Sequence, residues 1–302
     1  MKDVHAMAPL HGRLMLRQVG VGGIKKPIAV ERAGRVVTLS ASFRITVDLP
    51  SGRKGSDLSR NAEVLAELVD QTVHRPVAGL ETACGNIARE LLVRHPYATE
   101  SSVHATADYY LPRGVAKDRE SLEDYRLFAE AQGSRQPDGS VVVLRSIGAE
   151  AVGMTACPCA MENVRERLIE EYPALKDPTL RTLPMITHNQ RNRTRLTFEL
   201  GEGDEVEADR IIETIEAAQS SPTYAILKRG DEARLVLQAH RNPKFVEDVV
   251  RDLLASVPGR FPHLPDPVGV LARTVSEESI HKYDVIAEHR TTVGELRAVA
   301  TA

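Results

Sequence analysis

Apolar and polar residues alternate along positions 36–49, with Phe43, Ile45 and Val47 on one side and Arg44, Thr46 and Asp48 on the other. A period of two over that length predicts a long strand with one buried face. Beyond Pro50 the pattern breaks into a Gly/Ser turn with a basic end. At 61–73 the period changes, with Val64, Leu65, Leu68 and Val69 recurring at helical spacing. A second helix is predicted over 82–94, stopped near Pro96 because proline cannot continue the hydrogen-bond ladder. Positions 101–111 alternate as a strand, 117–132 are charged and read as a helix, Asp138 and Gly139 mark a turn, and 141–156 read as another long strand.

The second half repeats that order. It reads as a helix at 158–172, a strand at 194–200, helices at 208–218 and 243–254, and closing strands at 268–275 and 283–289. No sequence repeat accompanies the doubling. The pattern predicts an α+β fold of two tandem ββααββ-like modules with antiparallel sheets, at 16–157 and 158–302, behind a flexible arm at 1–15.

Composition narrows the class. Of 302 residues, 42% are hydrophobic and 27% charged, a balance that suits a folded chain rather than a disordered one. A formal net charge of -3 gives no basic field, and 4% aromatics without tryptophan leave few stacking platforms. Nucleic acid is therefore not an expected partner. A small anionic substrate needs only a local basic pocket, which net charge does not exclude. The chain lacks an apolar run of about 18 residues. Its start, with His5, His11 and Arg13 near Met1, lacks the apolar core of a signal peptide. No membrane contact is expected, and Cys84, Cys157 and Cys159 do not suggest a disulfide framework, so a cytoplasmic location is expected.

Four stretches carry candidate chemistry. In 153–159 a strand gives way to a helix at Cys157, Pro158 and Cys159. Pro158 suits a first helical turn, and a thiolate at a helix N-terminus is both ligand and nucleophile. Two cysteines alone cannot fill a tetrahedral site, and two small buried thiols are the plain alternative. In 187–193, His188 offers a neutral imidazole, and Arg191, Arg193 and Arg195 alternate onto one face suited to phosphate oxygens. A solvated strand edge would look the same. In 227–232 and 242–248, Glu232 and Glu247 flank a helix–loop–helix, while Asp231 reads as a cap. Glu247 neighbours Val246, Val249 and Val250 and is expected to be partly buried, in need of a partner such as the N–H groups of guanine. In 276–284, His281 lies in a polar link between strands, where a lone histidine is ordinarily a surface residue.

In their order and spacing these stretches resemble the archaeal and type IB GTP cyclohydrolases. The likeness also takes in Val19 through Pro27, Val47 through Pro50, and Arg53, Lys54 and Gly55 with Leu58 through Asn61. It implies a tunnelling fold (T-fold) whose subunits self-associate into a homodimer or homotetramer with active sites between subunits. It further implies Cys157, His188, Glu232 and His281 as catalytic metal positions and Glu247 as the anchor of the purine base. Lys54, Arg60, Arg191 and Lys228 are implied for the triphosphate, and Cys159 near the metal. One Cys, two His and a Glu suit Fe(II), Zn or Mn, and the resemblance favours Fe(II). In that chemistry, hydroxide generated at the metal attacks C8 of guanine in GTP and the ring opens with loss of formate, at the start of pterin synthesis.

Two departures distinguish this chain. Asp57 stands where the bacterial type IB pattern has a histidine, and Tyr283 stands where it has a second histidine after His281. The first favours the archaeal, methanopterin-pathway product, 7,8-dihydroneopterin 2′,3′-cyclic phosphate with pyrophosphate, over the bacterial 7,8-dihydroneopterin triphosphate. Two rivals remain at this stage. A T-fold nitrile reductase would use a cysteine nucleophile and NADPH, and a purine- or metal-binding paralogue would bind without turnover.

Overall fold

The computed structural model describes residues 4–8, 14–32, 35–115, 117–177 and 182–300. Much of the expected arm, at 1–3 and 9–13, lies outside the described residues. His5 and Met7, inside them, are docked: the Lys54 N–H donates to the carbonyls of His5 at 3.1 Å and Met7 at 2.8 Å. The chain forms two compact units, neither continuous in sequence. One comprises 1–109, 126–148 and 198–207, the other 110–125, 149–197 and 208–302.

The first unit opens with β1 (Leu16–Arg32) paired antiparallel to β2 (Arg35–Leu49), in a register that runs from Leu16 opposite Leu49 to Arg32 opposite Arg35. The register shifts between Gly22 and Ile24, where Gly23 adopts a φ of 75° that other residues rarely take. Gly20 is needed for a different reason: a Cβ there would lie 2.0 Å from the Ile45 carbonyl oxygen of the facing strand. Along β2, Ala41, Phe43, Ile45, Val47 and Leu49 are buried, the face that alternation predicts. Helices α1 (Leu58–His74) and α2 (Leu80–Arg94) pack on each other, with Val64, Leu65 and Val69 of α1 buried. The end of β2 is pinned to the start of β3 (Glu100–Arg113) by buried Asp48. Its carboxylate accepts from the N–H groups of Thr99 and Glu100 at 2.7 Å each, and from the Thr99 hydroxyl at 3.0 Å.

The predicted helix at 117–132 is not one. A short 3-10 turn at Lys117–Arg119 leads into strand β4 (Ser121–Arg135), along which Tyr125, Leu127, Ala129 and Ala131 are buried in strict alternation. Glu, Ala, Leu and Gln raise helical propensity here, but a half-buried sheet position rewards the period-two pattern more strongly.

In the second unit β5 (Val141–Ala156) ends where α3 (Pro158–Glu171) starts. Strand β6 (Asn189–Leu200) and helix α4 (Ala208–Ala218) follow, and the two-residue β7 (Ser221–Pro222) pairs antiparallel with β5. Helices α5 (Arg229–Arg241) and α6 (Val246–Arg260) precede the antiparallel pair β8 (Gly269–Ser276) and β9 (Val285–Thr292), and α7 (Val293–Ala300) closes the described chain. Helix α6 packs on α4 and β8 through Val249, Val250, Leu253 and Val257. Among the described residues the hydrogen-bonded strand order is β1-β2-β3-β4-β5-β6-β8-β9, with β7 on β5. No described helix is long and apolar enough to cross a membrane.

Candidate active site

Cys157 is the N-cap of α3, with extended backbone (φ −73°, ψ 118°), and Pro158 fills the first helical position. Its Sγ accepts from the Ala160 N–H at 3.4 Å, one of the amides that a helix start leaves without an internal partner. The loop carrying His188 is stitched to this corner twice. The Cys157 N–H donates to the His188 carbonyl at 3.1 Å, and the Thr187 hydroxyl donates to the Cys157 carbonyl at 2.7 Å.

The His188 side chain is 13% exposed, and its Nδ1 lies 2.9 Å from Gln190 Oε1. Gln190 is oriented in turn, since its Nε2 donates to Thr155 Oγ1 at 3.1 Å. The amide oxygen turned toward the ring can only accept, so Nδ1 is the donor of this contact. Glu278 Oε2 lies 3.6 Å from the same Nδ1, on a side chain 9% exposed.

These groups line one cleft of about 210 Å³, together with Lys244, Glu247, Ser276, His281 and Tyr283. His281 and Tyr283 are exposed and stack with centroids 4.9 Å apart and planes 10° apart. Lys244 is committed to structure: Nζ bonds the Ala218 carbonyl at 2.8 Å and pairs with Asp252 at 2.7 Å. Glu247 stands in the first turn of α6 and lines the cleft but is exposed, which corrects its expected burial. The phase of α6 turns Val246, Val249 and Val250 into the core and leaves position 247 outside.

The other predicted residues lie apart from this cleft. Glu232 is exposed in the first turn of α5 and does not line it. Asp231 is the buried cap that its position predicts, accepting the Lys228 N–H at 3.2 Å, while Lys228 itself is exposed. On β6, Arg191 and Arg193 are exposed and Arg195 half-buried, alternating with buried Asn192, Thr194 and Leu196. The arginines thus share one face, where Arg193 pairs with Glu277 at 2.6 Å. Lys54 and Arg60 belong to the first unit, and both are exposed. Arg60 is engaged by Asp57 at 3.2 Å and by the Arg94 carbonyl at 3.0 Å. Cys159 is exposed, with the Asn163 amide 3.7 Å from its sulfur. Among the described residues no three Cys, His, Asp or Glu side chains converge closely enough to hold a metal ion.

Sequence reasoning missed Glu278 and Gln190. A signal existed for Glu278: it continues the even-numbered parity of buried Thr274 and Ser276, three positions before His281.

The architecture is an α+β fold with a large antiparallel sheet, and it is shared with solved enzymes. The uricase from Bacillus fastidious aligns over 97% of this chain and 98% of its own, at a TM-score of 0.52 and 10% identity. The uricase from Arthrobacter globiformis aligns over 91% and 93%, at 0.50 and 10%. At that identity the likeness speaks for the fold alone. The model of the type I GTP cyclohydrolase folE2 family matches residues 1–287, and the chain belongs to that family. Its relatives include the GTP cyclohydrolase MptA of Methanococcoides burtonii, 41% identical over 93% of this chain and 92% of that protein. The GTP cyclohydrolase MptA of Methanothermobacter thermautotrophicus is 40% identical over 96% and 92%.

Proposed function

We propose that this protein is a metal-dependent GTP cyclohydrolase that opens the guanine ring with release of formate and yields 7,8-dihydroneopterin 2′,3′-cyclic phosphate and pyrophosphate. Family membership supports the GTP cyclohydrolase activity. The observation that carries the rest is that Cys157, His188, Glu278, His281 and Glu247, drawn from four separate stretches, line one cleft.

The described residues do not converge closely enough to hold an ion by themselves, but the donor types that line the cleft suit a divalent one. A thiol and two imidazoles share the cleft, and Gln190 holds the His188 ring through Nδ1. Such a set suits Fe(II), with Zn or Mn as alternatives. Cys157, His188 and His281 would hold the ion, which would supply Lewis-acid activation of a water at neutral pH. Glu232, exposed on α5, is available to a neighbouring copy in a homodimer or homotetramer with sites between subunits. In this reading the chain has a T-fold of two tandem ββααββ-like modules.

The chain's own residues do the remainder. Glu278 stands 3.6 Å from His188 and is placed to take and return the proton moved during ring opening. Glu247 at the cleft accepts the N–H groups of guanine, a charge-assisted pairing. Arg191 and Lys228, with exposed cationic heads, serve the triphosphate along with Lys54 and Arg60. Tyr283 stacks on His281 and holds its ring.

Anaerobic incubation of the purified protein with GTP and Fe(II), Mn(II) or Zn(II) tests this, with formate measured and the pterin identified by mass. Formate with the cyclic phosphate is the expected result. Formate with dihydroneopterin triphosphate would move the protein to the bacterial-type reaction. No formate with any metal would leave a purine- or metal-binding paralogue.

A further inference from the structure

The turn that carries Lys228 and Glu232 is held from outside its own helix. Asp231 is 1% exposed, although its neighbours Lys228, Arg229, Gly230 and Glu232 are all exposed. A cap at a helix start needs only the N–H it accepts, here Lys228 N–H at 3.2 Å. The second partner of the same oxygen is the Nη1 of Arg119, at 2.6 Å. Arg119 ends the 3-10 turn between β3 and β4, which folds back so tightly that a Cβ on Gly114 would lie 2.3 Å from the Arg119 carbonyl oxygen. A second tie from the same hairpin reaches the segment before α5, where the Ala225 N–H donates to Glu123 Oε1 at 2.9 Å.

We propose that Arg119 is a positioning residue for the reaction: its guanidinium, pairing with buried Asp231, fixes the 225–232 turn so that Lys228 and Glu232 are presented in one geometry to triphosphate and metal. The inference rests on the roles proposed above for those two residues. Asp231 has a second cation in Arg234, but at 4.0 Å from the other oxygen and on an exposed side chain. A buried carboxylate cannot lose its hydrogen-bonded cation at 2.6 Å cheaply, so without Arg119 the Asp231 side chain swings to solvent and the start of α5 loosens. Lysine at 119 restores the charge but not the planar fork, and returns only part of the function.

Three variants test this beside the wild type: Arg119→Ala, Arg119→Lys and Asp231→Asn. Each is read by hydrogen–deuterium exchange of the metal-free protein, by bound metal per chain and by steady-state kinetics with GTP. For Arg119→Ala, faster exchange confined to 223–235, lower metal content and a KM for GTP raised roughly tenfold are expected. Arg119→Lys should lie between it and the wild type. Unchanged exchange in 223–235, or unchanged KM and metal content in an active background, would overturn the positioning role. Unfolding of Arg119→Ala would transfer the decision to Arg119→Lys and Asp231→Asn under the same criteria. A wild type that binds metal yet releases no formate would instead overturn the proposed function, while the exchange result would still say whether Arg119 holds the turn.

Discussion

The Cys157 N–H donates to the His188 carbonyl across 3.1 Å, so the two best candidate ligands are held together by main chain rather than by their own side chains. Removing either side chain leaves that backbone clamp in place. Cys157→Ala and His188→Ala are therefore expected to fold while losing metal. Loss of a group that hydrogen-bonds a metal ligand weakens metal binding about 10–100-fold. Loss of a direct ligand should exceed that and abolish turnover. Gln190→Ala, which frees the His188 ring, should fall within the 10–100-fold range. Metal analysis after dialysis, paired with circular dichroism, checks all three. Full metal occupancy in Cys157→Ala would mean that the site is elsewhere.

Glu247 lines the cleft without being buried, so replacing it should cost little stability. Glu247→Gln should keep metal content and unfolding temperature at wild-type levels. A charge-assisted hydrogen bond contributes about 1.5–3 kcal/mol, so KM for GTP should rise roughly tenfold or more. A variant with wild-type KM would remove Glu247 from the purine site.

Glu278 differs because it is nearly enclosed and faces His188. Glu278→Gln preserves shape and hydrogen bonding but cannot take up a proton. We expect kcat to fall about a hundredfold, the ordinary size of a general acid–base contribution, with KM and metal content little changed. Equal loss of metal would instead identify Glu278 as a ligand.

Much of this architecture was legible in the sequence, and the exceptions have physical reasons. The core faces of β2, α1, α2 and α4 follow from apolar spacing because each buries one face against one neighbour. Strand β1 carries Gly20, Gly22, Gly23, Lys25, Lys26 and Pro27, residues poorly suited to a strand. It is a strand because β2 supplies its partners along nearly its whole length. β4 misleads in the opposite sense, its helix-forming composition overruled by the sheet beside it. At the site, the family motifs point to Cys157, His188, His281 and Glu247, which the fold gathers into one cleft. Glu278 escaped notice because Glu277 and Glu278 in a polar link look like a solvated pair until the cleft encloses one of them. Glu232 is the converse case, a motif residue that the folded chain leaves exposed.

Buried histidine makes the acid stability of the first unit testable. His95 is fully enclosed, its Nδ1 2.9 Å from the Tyr97 hydroxyl, which in turn meets the Ser56 hydroxyl at 2.8 Å. Its Nε2 is buried with no hydrogen-bond partner among the described residues. Burial lowers its pKa, and the charges of Arg60 and Arg53 lower it further against the opposing effect of Asp57. With a folded-state pKa below the unfolded value of about 6.5, the unfolded chain takes up the proton first as pH falls. The stability that depends on neutral His95 is therefore complete above that value and is lost as pH drops from it through the folded pKa. The loss cannot exceed one proton, or about 1.4 kcal/mol per pH unit. His95→Gln can still meet the Tyr97 hydroxyl but has no proton to gain, so its unfolding free energy should fall less steeply between about pH 7 and 5. Urea unfolding of both proteins across that range decides it. Parallel slopes would show that His95 takes up its proton alike in the folded and unfolded states, and that other groups set the acid limit.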